Sequence, residues 1–315
     1  MIHRSSGRGG LETRCTLHMA NPDQTRLQQD ALWCLRSPSL FDAPMMGFPS
    51  GDFFRTIDVD ASSIVWPEPS DWHRFRLGRH FEQLWQAALN ADPTTEVLAC
   101  NLAVRNQQRT LGEFDLVVRH CGEIEHWELA VKFYLASCPK PAFEDWFGPN
   151  PTDHLKGKFD HLTKRQLRLG QSPDGRKALA LLGGKSVCPT KAIVKGRLFY
   201  PFDEWKAADW ACDAPLNPNH LAGWWIPKND LIKTFGSSGH CCVILKKPFW
   251  LAERHTIPAS LRVSAGAVIA ALDPREQFAH HIAITDDSGR EISRGFVVEQ
   301  AWLEAVNARR PTRLN

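Results

Sequence analysis

With 315 residues, 43% of them hydrophobic and 23% charged, the chain can bury a substantial core as one large domain or two small ones. A formal charge of only +3 supplies no global field for nucleic acid, so any such binding needs a local basic patch. Nine scattered cysteines without a Cys-x-x-Cys exclude a disulfide framework or a zinc module and fit a reducing cytoplasm, and no apolar run approaches the length of a membrane span.

Residues 1–24 are polar, rich in Gly, Ser and Arg, and without hydrophobic period, which predicts a disordered leader. Leu27, Ala31, Leu32 and Leu35 then recur at helical spacing until Ser37-Pro38 stops the helix. With the Pro-, Gly- and Asp-rich stretch that follows, this makes residues 25–70 a helix and a loop-rich wrap, with a short strand near Ile64-Val65-Trp66. From about Asp71 to Ala91 an amphipathic helix turns Leu77, Phe81, Leu84, Ala88 and Leu89 to the core and leaves Glu82 at the edge of that stripe. Glu96 to Arg105 reads as the first core strand.

The next two stretches alternate, as strands with one covered face do. Between Gly112 and Val118 the residues Phe114, Leu116 and Val118 share a face, leaving Glu113 and Asp115 on the other. Between His126 and Tyr134 the apolar side is Trp127, Leu129, Val131 and Phe133, opposite His126, Glu128, Ala130, Lys132 and Tyr134. The connection 119–125 contains a glycine and suits an antiparallel hairpin, which brings three carboxylates and a lysine onto one sheet surface. Such a set can hold Mg²⁺ by hard oxygen ligands, orient a water against a phosphodiester and offset charge on the phosphate; an ordinary solvated face carries the same residue types.

A second helix starts at Asn150-Pro151-Thr152-Asp153, with Asn as N-cap, Pro at the first position and Asp in the first turn. Its stripe is Leu155, Phe159, Leu162, Gln166 and Leu169, so Gln166 is either a satisfied buried amide or a polar contact beside the site. Lys156, Lys158, Lys164, Arg165 and Arg168 give it a basic character suited to phosphates, though also to a plain surface helix. Lys191 to Tyr200 is the fourth strand. Beyond it, Trp224 to Ile226, Cys242 to Leu245 and Phe249 to Leu251 read as short strands. His280 to Asp286 and Glu291 to Val298 flank a hairpin signal, and Glu299 to Asn307 is a closing helix. His280-His281 and His240-Cys241-Cys242 make poor zinc sites, because adjacent residues of a strand point apart.

Gly112-Glu113-Phe114-Asp115-Leu116-Val117-Val118, a hairpin and a hydrophobic strand ending in Lys132 together resemble the PD-(D/E)XK nuclease superfamily, and the Gly-Glu-x-Asp form its Holliday-junction-resolvase-like members. From about Leu27 onward the chain also resembles a bacterial family catalogued as a domain of unknown function, number 1853. The residues behind this are Trp33-x-x-x-Ser37-Pro38, Leu77-Gly78-x-x-Phe81-Glu82, Gly112-Glu113-x-Asp115, Glu128-x-Ala130-Val131-Lys132-Phe133-Tyr134-Leu135, Gly148-Pro149 and Gly295-Phe296-Val297-Val298.

The resemblance implies an α/β fold with a restriction-endonuclease-like core of helix, three strands, helix, strand over residues 71–205, and a C-terminal α+β extension over 206–315 packed on it. It further implies Mg²⁺ or Mn²⁺ held by Asp115, Glu128 and Glu113, with Glu82 completing the shell. Lys132 would position or activate water, Gln166 would orient as in RecB-like members, and DNA or RNA would be the substrate; no membrane or protein partner is indicated. One departure stands out. The acid two residues before the lysine is replaced by Ala130, and Glu128 lies four residues before Lys132, about 13 Å between Cα atoms instead of about 6.6 Å. A bulge in this strand, or a carboxylate from Glu82 or Glu113, would repair the site. The alternative is a catalytically inactive module of the same fold that binds nucleic acid or protein.

Overall fold

Helix α1 (Gln24–Arg36) opens the computed structural model, which describes residues 24–60, 63–66, 76–185, 187–208, 210, 213–236, 239–247, 249–272 and 278–310. Residues 1–23 of the predicted leader and 71–75 of the predicted helix lie outside these. After α2 (Gly51–Arg55), α3 (Leu77–Asn90) buries Leu77, Phe81, Leu84, Trp85, Ala88 and Leu89, the predicted stripe widened by a tryptophan. Ile64 to Trp66 form no strand.

Strands β1 (Thr95–Arg105), β2 (Thr110–His120) and β3 (Glu123–Ala136) are consecutive antiparallel neighbours. The β2–β3 connection is tighter than predicted. Only Cys121 and Gly122 turn, at φ 48° and 83°, because two left-handed residues match the twist of a two-residue hairpin, and Ile124 and Glu125 already pair in β3. After β4 (Trp146–Phe147) come α4 (Leu155–Lys164) and α5 (Pro173–Leu181), then β5 (Thr190–Pro201), which runs parallel to β3. Next are α6 (Phe202–Ala207), β6 (Ala222–Pro227), α7 (Leu231–Phe235), β7 (Cys241–Ile244), α8 (Ala265–Ala271), β8 (Ala279–Thr285), β9 (Glu291–Val298) and α9 (Gln300–Asn307). All the strands join one mixed sheet in the order β1-β2-β3-β5-β6-β9-β8-β7, with β4 paired to β3. The β8–β9 hairpin is as predicted, whereas Phe249 to Leu251 are buried in turns, their apolar run lacking the alternation of a half-buried strand.

Two cores sandwich the centre of the sheet. Trp127, Leu129 and Phe133 pack with α1 and α3, and the Trp85 and Trp127 rings meet edge to face at 6.4 Å. From the other face Ala130 and Tyr134 pack with Leu155, Phe159 and Leu162 of α4. The C-terminal elements are pinned to the centre by two indoles, Trp225 Nε1 donating to the Ala136 carbonyl at 2.8 Å and Trp302 Nε1 to that of Gly148 at 3.0 Å.

Helix α4 begins later than predicted. Its N-cap is His154, whose Nδ1 accepts from the Gly157 N–H at 3.0 Å, while Asn150 instead caps a preceding turn by accepting from the Thr152 N–H at 3.1 Å. It also ends sooner. Arg165, at φ −127° and ψ −66°, breaks it, and Gln166–Gln171 continue as a tighter 3-10 turn. Phe114 is a further correction: it joins Val104, Val117 and Leu179, whereas Leu116 and Val118 pack in the α3 layer.

Candidate functional site

The β2–β3 ladder runs from His120 opposite Glu123 to Leu116 opposite Trp127 and stops there. Beyond that pair β2 stays with β1 as far as Thr110 opposite Arg105, and β3 continues beside β5. The sheet therefore forks at Asp115 and Glu128, the first residue past the last pair on each strand. The fork leaves the Leu129 N–H without a strand carbonyl, and Asp115 Oδ2 accepts it at 2.8 Å. Strand β1 bends at the same level: Asn101, between the residues paired with Leu116 and Phe114, has φ 51°, a conformation Asn tolerates better than most side chains.

Glu128 is buried and has both oxygens engaged. Its Oε1 lies 2.6 Å from His126 Nε2, and its Oε2 accepts from Gln166 Nε2. Gln166 is aimed there because the 3-10 turn that follows Arg165 brings it back over β3; its Oε1 accepts from Lys158 Nζ at 3.1 Å. A relay His126, Glu128, Gln166, Lys158 thus crosses from sheet to helix. His126 Nδ1 is buried with no partner among the described residues. Since an unpaired buried N–H is rarer than an unpaired acceptor, the proton belongs on Nε2, donated to Glu128.

Burial and then the charge of Glu128 push the Asp115 carboxyl up to about 7, against the Leu129 N–H and the Lys158 charge, which pull it down. Glu128 also rises to about 7 through burial, opposed by Lys158 and by a hydrogen bond with Asp115. Glu82, reaching in from α3, is pushed to about 7 by burial and then by Asp115, with Glu113 and Glu128 adding to it. Burial, and then the charge of Lys132, lower the Lys158 ammonium. Burial drops His126 to about 4, so it is neutral at physiological pH.

Lys132 shares the face of Glu128 but is directed elsewhere. Its Nζ donates to Asp153 Oδ2 at 2.6 Å, and Tyr134 Oη donates to Asp153 Oδ1 at 3.3 Å. The β3–β5 register is unbroken from His126 opposite Thr190 to Leu135 opposite Phe199, so β3 has no bulge to shorten the Glu128–Lys132 spacing. Ala130 lies between them in the α4 core, where a longer acid would be buried against apolar side chains. Glu113 is exposed.

A family model described as a domain of unknown function, DUF1853, matches residues 29–298. The chain belongs to that family. No curated protein and no solved structure matches it. Every residue of the fork falls inside the DUF1853 match, and no helix among the described residues is long and apolar enough to cross a membrane.

Among the described residues, no three carboxylate, imidazole or thiol side chains form a ready protein-only cage for a metal. The donors still fit Mg²⁺ by type, since that ion keeps several waters and is commonly held by one or two carboxylates together with substrate phosphate. Asp115 and Glu128 are such a pair. The sequence names them as candidates, with Gln166, Lys132 and Glu82, but gives no role to His126 or Asp153 and reads Lys158 as a phosphate contact or a plain surface lysine; of the named residues Gln166 touches Glu128, whereas Lys132 is turned to Asp153. His126 had a signal, being two residues from Glu128 on the same strand face; Asp153 had none beyond its charge.

Proposed function

We propose that this DUF1853 chain is a Mg²⁺-dependent phosphodiester hydrolase acting on nucleic acid through a PD-(D/E)XK-type core. The observation that carries the reading is the fork, where the half-buried Asp115, holding the Leu129 N–H, and the buried Glu128, held by His126 and Gln166, both stand near pKa 7 beside an amide and a half-buried ammonium. Apart from the two-residue β4 and the interposed α5, the order α3, β1, β2, β3, α4, β5 is that of the helix, three strands, helix, strand arrangement that the resemblance implies. Asp115 and Glu128 would hold the ion, with Glu113 and Glu82 adding negative charge through its water shell. Bound there, Mg²⁺ would lower the pKa of a water and offset charge on the phosphate.

The chain's own groups do the rest. Gln166 fixes the rotamer of Glu128, and neutral His126 holds its other oxygen. Lys158 faces the developing phosphate charge, while Lys132 positions the attacking water once substrate displaces Asp153 from it. Wild-type protein should cut branched, single-stranded or duplex nucleic acid only with Mg²⁺ or Mn²⁺. Asp115→Asn should lower the rate at least about 100-fold, because even second-shell changes at metal sites cost 10–100-fold. Lys158→Met should lower it about 10²–10³-fold, as loss of one preorganised donor does. A wild type that cuts none of these and melts identically with and without Mg²⁺ would overturn the reading. The engagement of Lys132 by Asp153 favours a second one, a module that keeps the fold and binds nucleic acid or protein without cleaving.

A further inference from the structure

The β1–β2 hairpin projects from the fork, and its chemistry differs from the rest of the surface. Past the pair Val104 and Gly112, residues 105–111 are all exposed, and no carboxylate occurs from Val97 to Gly112. The tip carries Arg105, Asn106, Gln107, Gln108 and Arg109. Its shape is preset: Asn106 Oδ1 accepts the backbone N–H groups of Gln108 and Arg109, each at 2.9 Å, and the Asn106 N–H donates to the Arg109 carbonyl at 3.1 Å. Neither arginine side chain has an ion pair or hydrogen bond among the described residues, although ion pairs are common elsewhere on the surface. The base of the hairpin is clamped. A Cβ on Gly112 would meet Leu169 Cδ2 at 2.9 Å, and Leu169 belongs to the same 3-10 turn that carries Gln166.

We propose that this hairpin is a groove-reading finger that inserts into the major groove of duplex DNA while the fork engages the backbone. The inference rests on the nucleic-acid reading of the fork and adds the form of the substrate. Arginine and the amides are the side chains that read guanine and adenine edges in pairs of hydrogen bonds, and unpaired arginines also meet phosphates. Arg105 and the turn after it extend about two residues, roughly 7 Å, beyond Val104, and the long Arg and Gln side chains add to that reach, against a B-form groove about 8.5 Å deep that admits a two-stranded ribbon. The A-form major groove of duplex RNA is too narrow for it. A preset turn loses little entropy on insertion, so the exposed amides need no partner in the free protein.

The test is anisotropy of a labelled 20-base-pair DNA duplex, with the same sequence as RNA duplex and single strand, in EDTA so that nothing is cut. The full chain should prefer duplex DNA, and Arg105→Ala with Arg109→Ala should weaken it at least tenfold and lower the salt slope by about two. Gln107→Ala with Gln108→Ala should reduce discrimination between DNA sequences while leaving the salt slope unchanged, a readout that misfolding would not reproduce. Unchanged DNA affinity in the arginine variant, equal binding of duplex RNA, or no duplex binding by the wild type overturns the finger. Duplex binding lost in the arginine variant of a protein that never cleaves keeps the finger and removes the nuclease reading. Cleavage with the arginine variant at full affinity does the opposite.

Discussion

Of the regions that bury charge, two treat it in opposite ways. Around Arg294 in β9 every donor of the guanidinium is used: Nε and Nη2 reach Glu291 at 2.5 and 2.9 Å, Nη1 the carbonyls of Trp250 and Leu251 at 2.8 Å each, and Nη2 that of Ala252 at 2.9 Å. A buried arginine with five partners has nothing left to offer a ligand, and its work is to fasten the 250–252 turn to the sheet. At the fork the balance is unfinished. Asp115, Glu128 and Glu82 all sit near pKa 7, so they are protonated or mutually repelling at neutral pH, and the one cation that relieves both Asp115 and Glu128 is itself depressed. A folded protein completes a buried charge where structure is the purpose; an uncompensated cluster marks a place prepared for something else.

The largest test of this contrast is Arg294→Met. It leaves the buried Glu291 carboxylate without its counter-charge, held only by the Arg254 N–H, and the Trp250 and Leu251 carbonyls without their arginine donor, and should cost about 3–5 kcal/mol, seen as a fall in Tm of roughly 10 °C. A loss under about 1 kcal/mol would erase the distinction between the two clusters. Next comes the cation. Mg²⁺ at a hundred times its dissociation constant should stabilise the chain by about 2.7 kcal/mol, with more effect at pH 8 than at pH 6, because protons must leave carboxyls near pKa 7 before the ion can bind. Equal melting shifts at the two pH values would count against the fork as the binding place.

The smallest effect has the opposite sign. Carboxyls whose ordinary values are 3.8 and 4.5 stand near 7 in the folded chain, so between about pH 4 and 7 the folded state holds more protons than the unfolded one. Their contribution is complete below that window and is lost as pH rises through it. Asp115→Asn keeps the acceptor for the Leu129 N–H and removes a charge, so it should flatten this decline and raise the metal-free stability at pH 8 by about 1–2 kcal/mol. Urea midpoints measured across that range check the slope; a variant less stable than wild type at pH 8 would mean that Asp115 is structural.

Much of this was legible from alternation alone. The face shared by His126, Glu128 and Lys132, the stripe of α3 and the β8–β9 hairpin all follow from side-chain period and turn residues. The fork did not. A connection over residues 119–125 closing on Val118 and His126 would have set Asp115 opposite Leu129, whereas the two-residue turn at Cys121 and Gly122 moves the register by one and sets it opposite Glu128. For the same reason the missing acid at Ala130 looked like damage: on a splayed sheet Asp115 meets Glu128 without it, and α4 occupies the space. The partner of Lys132 was hidden too, since Asp153 sits in a turn closed by its own carbonyl, which accepts from the Gly148 N–H at 2.7 Å.

The position of β9 bears on how the chain is made. Strand β6, with Trp224 and Trp225, lies between β5 and a strand that begins only at Glu291. On the ribosome β6 can dock on β5 as soon as it emerges, yet its other edge stays unsatisfied until Val298 has cleared the exit tunnel, several seconds later at ~5–20 residues per second. Through that interval an apolar, tryptophan-bearing edge is presented to every neighbouring nascent chain. Termination between Pro227 and Glu291 makes the interval permanent, so such products should collect as insoluble aggregates even though every residue of the fork has already been synthesised.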